Sequence, residues 1–331
     1  MKISFLKYSA ILVFGLIWQV SCFNNAERTN PLDPKSDNFK NVGSVTGQAL
    51  TFYVPFNAIP DVEIRMEPGT FVTKSDADGE FQFNNVPVGR RSISAQKEGF
   101  VTLVDSIDVQ LGRSTSVQLH LDGLPIISSF SVISCHISRW WPQSDLFLLE
   151  VMAELQDLDG VNDIALVLFE IPDMNFLDTL QVTQSSGVFT TRISESQLPE
   201  GNLQVVLGRE LLIKAVDRAG CENSSQPKFL ARIIEQEPRF ESPAGDSLDV
   251  SKPLLKWIPI RLSFNFTYKV EVFRVNEGFS SIVESITNID PSVSSITVSE
   301  ALPSGVYFWT VSVIDEFGNW SRSKEASFVI K

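Results

Sequence analysis

Asp76-Ala77-Asp78-Gly79-Glu80-Phe81-Gln82-Phe83 sets a tight turn directly before a strand in which every second side chain is aromatic. Such a turn needs a residue at positive φ, which glycine adopts without a Cβ penalty. Gly79 therefore belongs in the turn, and Phe81 and Phe83 fall on one face of the strand. The same grammar spreads outward. Val45-Thr46-Gly47-Gln48-Ala49 opens the region, and Val62-Glu63-Ile64-Arg65-Met66 alternates apolar with polar residues. Downstream, Val86-Pro87-Val88-Gly89 turns the chain and Arg91-Ser92-Ile93-Ser94-Ala95 resumes the alternation. Lys97-Glu98-Gly99-Phe100 then leads to closing strands at Ser106 to Val109 and Ser116 to Leu121.

The pattern continues to the end of the chain. Phe147-Leu148-Leu149-Glu150-Val151-Met152-Ala153 reads as a buried strand, followed by the turn Asp157-Leu158-Asp159-Gly160 and strands at Ile164 to Ile171, Gly187 to Ile193 and Leu211 to Asp217. Later, Pro253-Leu254-Leu255-Lys256-Trp257, Tyr268-Lys269-Val270-Glu271-Val272 and the face Tyr307, Trp309, Val311, Val313 keep a period of two. No segment sustains an apolar 3.6-residue period with caps. A chain of 331 residues exceeds what one core holds. The sequence therefore predicts an all-β protein of three β-sandwich domains in tandem, over 42–123, 124–235 and 236–331.

Each segment resembles a known domain type. Gly47, Asp78-Gly79-Glu80-Phe81, Val86-Pro87-Val88-Gly89 and Gly99-Phe100 fill the places of the carboxypeptidase regulatory-like, or transthyretin-like, pattern. That resemblance implies a seven-stranded sandwich with an accessory role and no catalytic residues. Ala215, Asp217 and Gly220 fit the strand ending of bacterial immunoglobulin-like domains. The third segment resembles a fibronectin type III domain, with Trp257 on an early strand. Leu302-Pro303-Ser304-Gly305-Val306-Tyr307 there predicts a tyrosine corner, in which the Tyr307 hydroxyl bonds upstream backbone and its ring fills the core.

Residues 1–21 read as a secretory signal: Lys2 and Lys7 precede an apolar stretch, Ala10 to Trp18, too short to span a bilayer. Gln19-Val20-Ser21-Cys22 resembles the lipobox of bacterial lipoproteins, with Ser21 and Cys22 matching and Gln19 departing from the usual apolar residue. The resemblance implies acylation of Cys22 (a palmitate-type anchor) and attachment to the membrane. Residues 22–41 read as a flexible tether broken by Pro31 and Pro34. Asn30-Pro31-Leu32-Asp33-Pro34 resembles the segment behind the acylated cysteine in lipoproteins of the Bacteroidetes and Chlorobi type. Phe23 stands where an Asp would signal inner-membrane retention, so the expected location is the bacterial cell envelope at the outer membrane. With Cys22 assigned to lipid, Cys135 and Cys221 are left to pair in an oxidising compartment. Such a disulfide would close a loop of roughly 85 residues and add about 4 kcal/mol on the chain-entropy account.

The formal net charge is −13. Loss of the leader takes 27 basic and 40 acidic residues to 25 and 40, or −15. A surface of this sign repels nucleic acid, which is excluded as a partner. No nucleotide, zinc-protease or nucleophile-elbow motif is present, so no cofactor and no enzyme activity are expected. His120 sits in a strand pattern, and His136 beside Cys135 lacks two further ligands for zinc. Asp76, Asp78 and Glu80, and likewise Asp157, Asp159 and Asp163, are spaced so that Ca²⁺ is conceivable, but neither set completes a twelve-residue loop with its terminal Glu. Both are read as turns, and no metal is expected. Arg139-Trp140-Trp141-Pro142 places two tryptophans in a loop, where burial competes with a role as a stacking platform. Trp140 and Trp141 are thus the candidate ligand-binding residues. The functional expectation is a non-catalytic envelope lipoprotein that scaffolds, adheres or binds another envelope protein. Its rival is a carbohydrate-binding accessory of a glycan-uptake system.

Overall fold

The computed structural model describes residues 28–31, 33–36 and 38–331, so the leader and Cys22 lie outside the described residues. The protein is all-β, and among the described residues only short 3-10 turns stand between strands. It divides into two compact units, Met1–Gly123 and Leu124–Lys331. Among the described residues no helix is long and apolar enough to cross a membrane.

In the first unit, a three-stranded sheet pairs Val42–Thr51 with Glu80–Pro87 and, in parallel, with Ser114–Leu121. A four-stranded sheet runs Phe71–Lys74, Glu63–Glu67, Gly89–Gln96, Leu103–Val109. Val45, Ile64, Phe81, Phe83, Ile93 and Leu119 fill the space between them. Gly79 adopts φ +74°, and a Cβ there would lie 2.5 Å from the Ala49 carbonyl oxygen, so the turn position is closed to larger residues. At Gly47 a Cβ would stand 2.5 Å from the Phe81 ring, so the missing side chain lets that ring pack over the backbone. Ahead of this sandwich, Asp33 N donates to Asn30 O, Ser36 N to Asp33 O and Lys40 N to Pro31 O.

The second unit holds two cores. One packs Leu149, Val151, Phe169, Ile193, Leu203 and Ile213 between the sheet Phe176–Thr179, Ile164–Ile171, Leu212–Asp217, Glu222–Ser224 and the strands Ile126–Ile137, Leu146–Gln156 and Val188–Ser194. The other surrounds Trp257, Tyr268, Tyr307, Trp309 and Phe328, each no more than 1% exposed. Burial of side chains this large supplies about 1.5–3 kcal/mol each. The tyrosine corner forms: the Tyr307 hydroxyl donates to the Pro303 carbonyl at 2.7 Å while its ring stacks on Phe328.

The two cores stay distinct, yet one sheet of ten strands runs through both. Its joint is Trp320–Arg322, which pairs antiparallel with Gly305–Asp315 and parallel with Ile126–Ile137. Main-chain hydrogen bonds therefore continue from one core to the next, and the second unit is a single body.

The expected Cys135–Cys221 disulfide is not formed, and neither cysteine is in a disulfide. The cause is strand geometry. Cys221 lies in the hairpin whose Asn223 side chain donates to Pro125 O, at the start of the Ile126–Ile137 strand. Cys135 sits near the far end of that strand, opposite Leu148. Extended chain rises about 3.3 Å per residue, which separates the two thiols by roughly 30 Å, whereas a disulfide needs Cα atoms within about 7 Å. Cys135 is fully buried, and burial, reinforced by the Glu150 charge, pushes its thiol well above the usual range.

Candidate functional site

The aromatic loop follows the Ile126–Ile137 strand, which ends at Ile137 and releases the chain into a surface turn. Neither tryptophan enters a core: Trp140 is 57% exposed and Trp141 84%. They differ in restraint. Trp140 Nε1 donates to Glu325 O at 2.7 Å, its ring carries Lys324 Nζ at 4.8 Å from the centroid, and Phe240 lies 6.2 Å away. These contacts hold the indole as one wall of a cleft of about 300 Å³, lined also by Ser138, Pro238, Phe240 and Ile258. That volume is at the lower end for ligand sites, enough for about one ring. Trp141 stands outside the cleft wall.

Serine, histidine and aspartate do converge in the second unit. His136 Nδ1 lies 2.8 Å from Ser321 Oγ and Nε2 lies 3.1 Å from Asp145 Oδ2. Ser138 Oγ donates to the other Asp145 oxygen, and the imidazole stacks on Phe147. Such a trio resembles a nucleophilic triad in distances only. Ser321 is 0% exposed and sits in a ladder between two strands, so no substrate carbonyl can approach its oxygen. Beside it, Ser134 N donates to Asn319 Oδ1, and Asn319 Nδ2 donates to Asp315 Oδ2. The arrangement is a hydrogen-bonded clasp at the joint between the two cores.

The two acidic turns differ in kind. Asp76 Oδ1 accepts from the backbone of Asp78 and Glu80, and all three residues are exposed, as a hairpin turn requires. The other turn is partly buried. Asp159 N donates to Asp157 Oδ1, the 3-10 turn Val161–Asp163 follows, and Asp163 is 3% exposed. Oxygens of Asp159 and Asp163 approach within 4.8 Å. The strand Leu212–Asp217 brings a fourth carboxylate: Asp217 pairs with Ile164, and Arg218 N donates to Asp163 O. Burial, with further repulsion from Asp163, Asp159 and Asp217, pushes the Asp157 carboxyl from the ordinary 3.8 up to about 7, against a lowering hydrogen bond from Asp159.

Residues 56–122 match the carboxypeptidase regulatory-like domain. The match lies within the first unit and includes its hairpin and closing strands. Within the matched stretch, His120 Nδ1 lies 3.1 Å from Thr51 O, just ahead of it, and its ring meets Phe56 edge-on, which consumes the side chain on a strand face. No curated protein matches the chain in sequence. Among solved structures, the TIE protein of Bacillus anthracis is 13% identical over 88% of this chain and 49% of its own, with a TM-score of 0.27, so the chain spans about half of that protein. The FN1-FN3 domains of chicken CNTN1 are 11% identical over 82% of this chain and 90% of theirs, at 0.31. BcpA, the major pilin subunit of Bacillus cereus, is 9% identical over 87% and 95%, at 0.30.

Three residues of these sites carried no signal as site residues. Asp217 reads as the end of a strand, Asp145 stands in no motif, and Ser321 only completes the sequon Asn319-Trp320-Ser321, which is read as a chance match. Only the alternation that pairs their strands could have pointed to them.

Proposed function

We propose that the protein is a non-catalytic module of the bacterial cell envelope, held by an acyl group on Cys22, that binds an envelope partner through the Trp140–Trp141 loop. One observation carries the reading: two tryptophans are spent on the surface beside a shaped cleft. An exposed indole forgoes about 1.5–3 kcal/mol of burial, and aromatic anchors of this kind concentrate binding energy at interfaces. The fused sheet of the second unit supports it, because a rigid base keeps a binding loop in place at small entropic cost. The Ser321 hydroxyl and the His136 ring of the nucleophile-like trio, by contrast, are buried away from solvent.

Cosedimentation of the purified protein with outer-membrane and cell-wall fragments tests the proposal. The Trp140→Ala, Trp141→Ala double variant is expected to lose at least tenfold in affinity. Undiminished binding by the variant refutes the loop as the contact. The glycan reading draws on the same wall of indole over a ring-sized cleft, and a glycan array separates the two. Binding that disappears in the double variant selects a sugar ligand. An array without signal, together with retained binding to envelope fragments, selects a protein partner. Labelled palmitate incorporated into wild type but not into Cys22→Ala checks the anchor.

A further inference from the structure

We propose that Asp157, Asp159, Asp163 and Asp217 form a binding site for one Ca²⁺ ion in the second unit.

Asp217 is 2% exposed, and its Oδ2 is buried without a hydrogen-bond partner among the described residues. Its Oδ1 is used locally, accepting from Cys221 N at 2.7 Å. Arg218, the basic residue next in sequence, is exposed and forms no ion pair with it. The charges near it are of its own sign: Asp217 adds to the repulsion felt at Asp157, as do Asp159 and Asp163. Asp157 Oδ2 is likewise buried without a partner.

The same chain supplies a control. Asp315 closes a hairpin of the same form: Asp315 N donates to Asn319 O, Gly318 N to Asp315 O and Asn319 N to Asp315 Oδ1. At the other site Asp217 N donates to Cys221 O, Gly220 N to Asp217 O and Cys221 N to Asp217 Oδ1. The backbones agree, and the outer oxygens do not. Asp315 Oδ2 receives Asn319 Nδ2 at 3.0 Å and Arg232 Nε at 3.3 Å. Where Asn319 stands in one turn, Cys221 stands in the other and offers no amide. Where Arg232 neutralises one carboxylate, acids surround the other.

A buried anion in such company is neutralised by a proton or by a cation. Four carboxylates from one loop and one strand end make an all-oxygen donor set, which a hard divalent cation prefers. Ca²⁺ accepts six to eight oxygens in flexible geometry, so nearby carbonyls and water complete its shell. Cys221 Sγ lies within 4.8 Å of an Asp217 oxygen, but one soft ligand among four hard ones does not make a zinc site.

Calorimetric titration of the full chain with CaCl2 after EDTA treatment tests the site. The expected result is saturable binding of one ion, a higher melting temperature with Ca²⁺, and an affinity lowered at least tenfold in Asp163→Asn and Asp217→Asn. Asp78→Asn, in the exposed turn of the first unit, should bind as wild type does. If Asp217→Asn fails to fold, Asp159→Asn on the partly exposed turn carries the test. Absence of saturable heat overturns the site, and so does an affinity reduced less than tenfold in these variants. Tighter binding of Zn²⁺ that is lost in Cys221→Ser overturns Ca²⁺ as its ion.

Discussion

His136 and Ser321 meet at 2.8 Å across a parallel strand pair, although 185 residues separate them. One belongs to the strand Ile126–Ile137 of the second core and the other to Trp320–Arg322 of the third. Both are buried, so the contact is shielded from water, and removal of one partner leaves the other without a substitute. Ser321→Ala should therefore cost about 1–3 kcal/mol. Because the shared sheet couples the cores, the second unit should unfold in one transition in urea. Separate transitions for the Trp257 and Phe169 cores, or a Ser321→Ala protein of unchanged stability, contradict this.

The thiols should behave as two unlinked groups. Cys221 is partly exposed and Cys135 fully buried with its thiol held protonated. Alkylation under native conditions should mark the peptide containing Cys221 and leave Cys135 untouched until denaturant is added, since the thiolate is the reactive form. A linked Cys135–Cys221 peptide in the unreduced digest contradicts the structure.

Asp157 gives the metal-free protein a pH dependence with a definite sign. Its carboxyl titrates near 7 when folded, against an ordinary 3.8. Between those values the native state binds more protons than the unfolded one, so this group's contribution falls as pH rises from about 4 to about 7. Below that window it is constant, and above it the loss is complete. With EDTA present, the melting temperature of wild type should fall by more than that of Asp157→Asn between pH 5 and pH 8. Equal falls in the two proteins would show that Asp157 is ordinary.

The all-β fold was legible because period-two alternation is local. The hairpin at Gly79, the Phe81 and Phe83 face, the strand Ile164–Ile171 and the Tyr307 corner all follow from near neighbours in sequence. The joint between the cores was not legible. Trp320–Arg322 pairs with Cys135, His136 and Ile137 through backbone groups, which leave no pattern in side chains so far apart. The disulfide expectation failed for a related reason. Two cysteines can flank the same strand and still lie at its opposite ends. The acidic turns show a third limit: Asp76 and Asp157 have similar spacing, but the second lies beside the Leu212–Asp217 strand and is partly buried. Composition favours burial of at least one of Trp140 and Trp141, since an indole suits a core, yet both are exposed.

Those two tryptophans should separate in their effect on stability. Trp141 is 84% exposed, and surface substitutions of this sort usually stay within about 0.5 kcal/mol. Trp141→Ala should therefore leave the melting temperature unchanged. Trp140→Ala removes the hydrogen bond to Glu325 O and the Lys324 contact, which together contribute about 1–2 kcal/mol. A lower melting temperature is expected for it, measured by scanning calorimetry. The difference gives the binding assay its clean probe, because a loss of affinity in Trp141→Ala then has no structural explanation. Destabilisation by Trp141→Ala equal to that by Trp140→Ala would place the second indole in a packed environment and remove it as a contact residue.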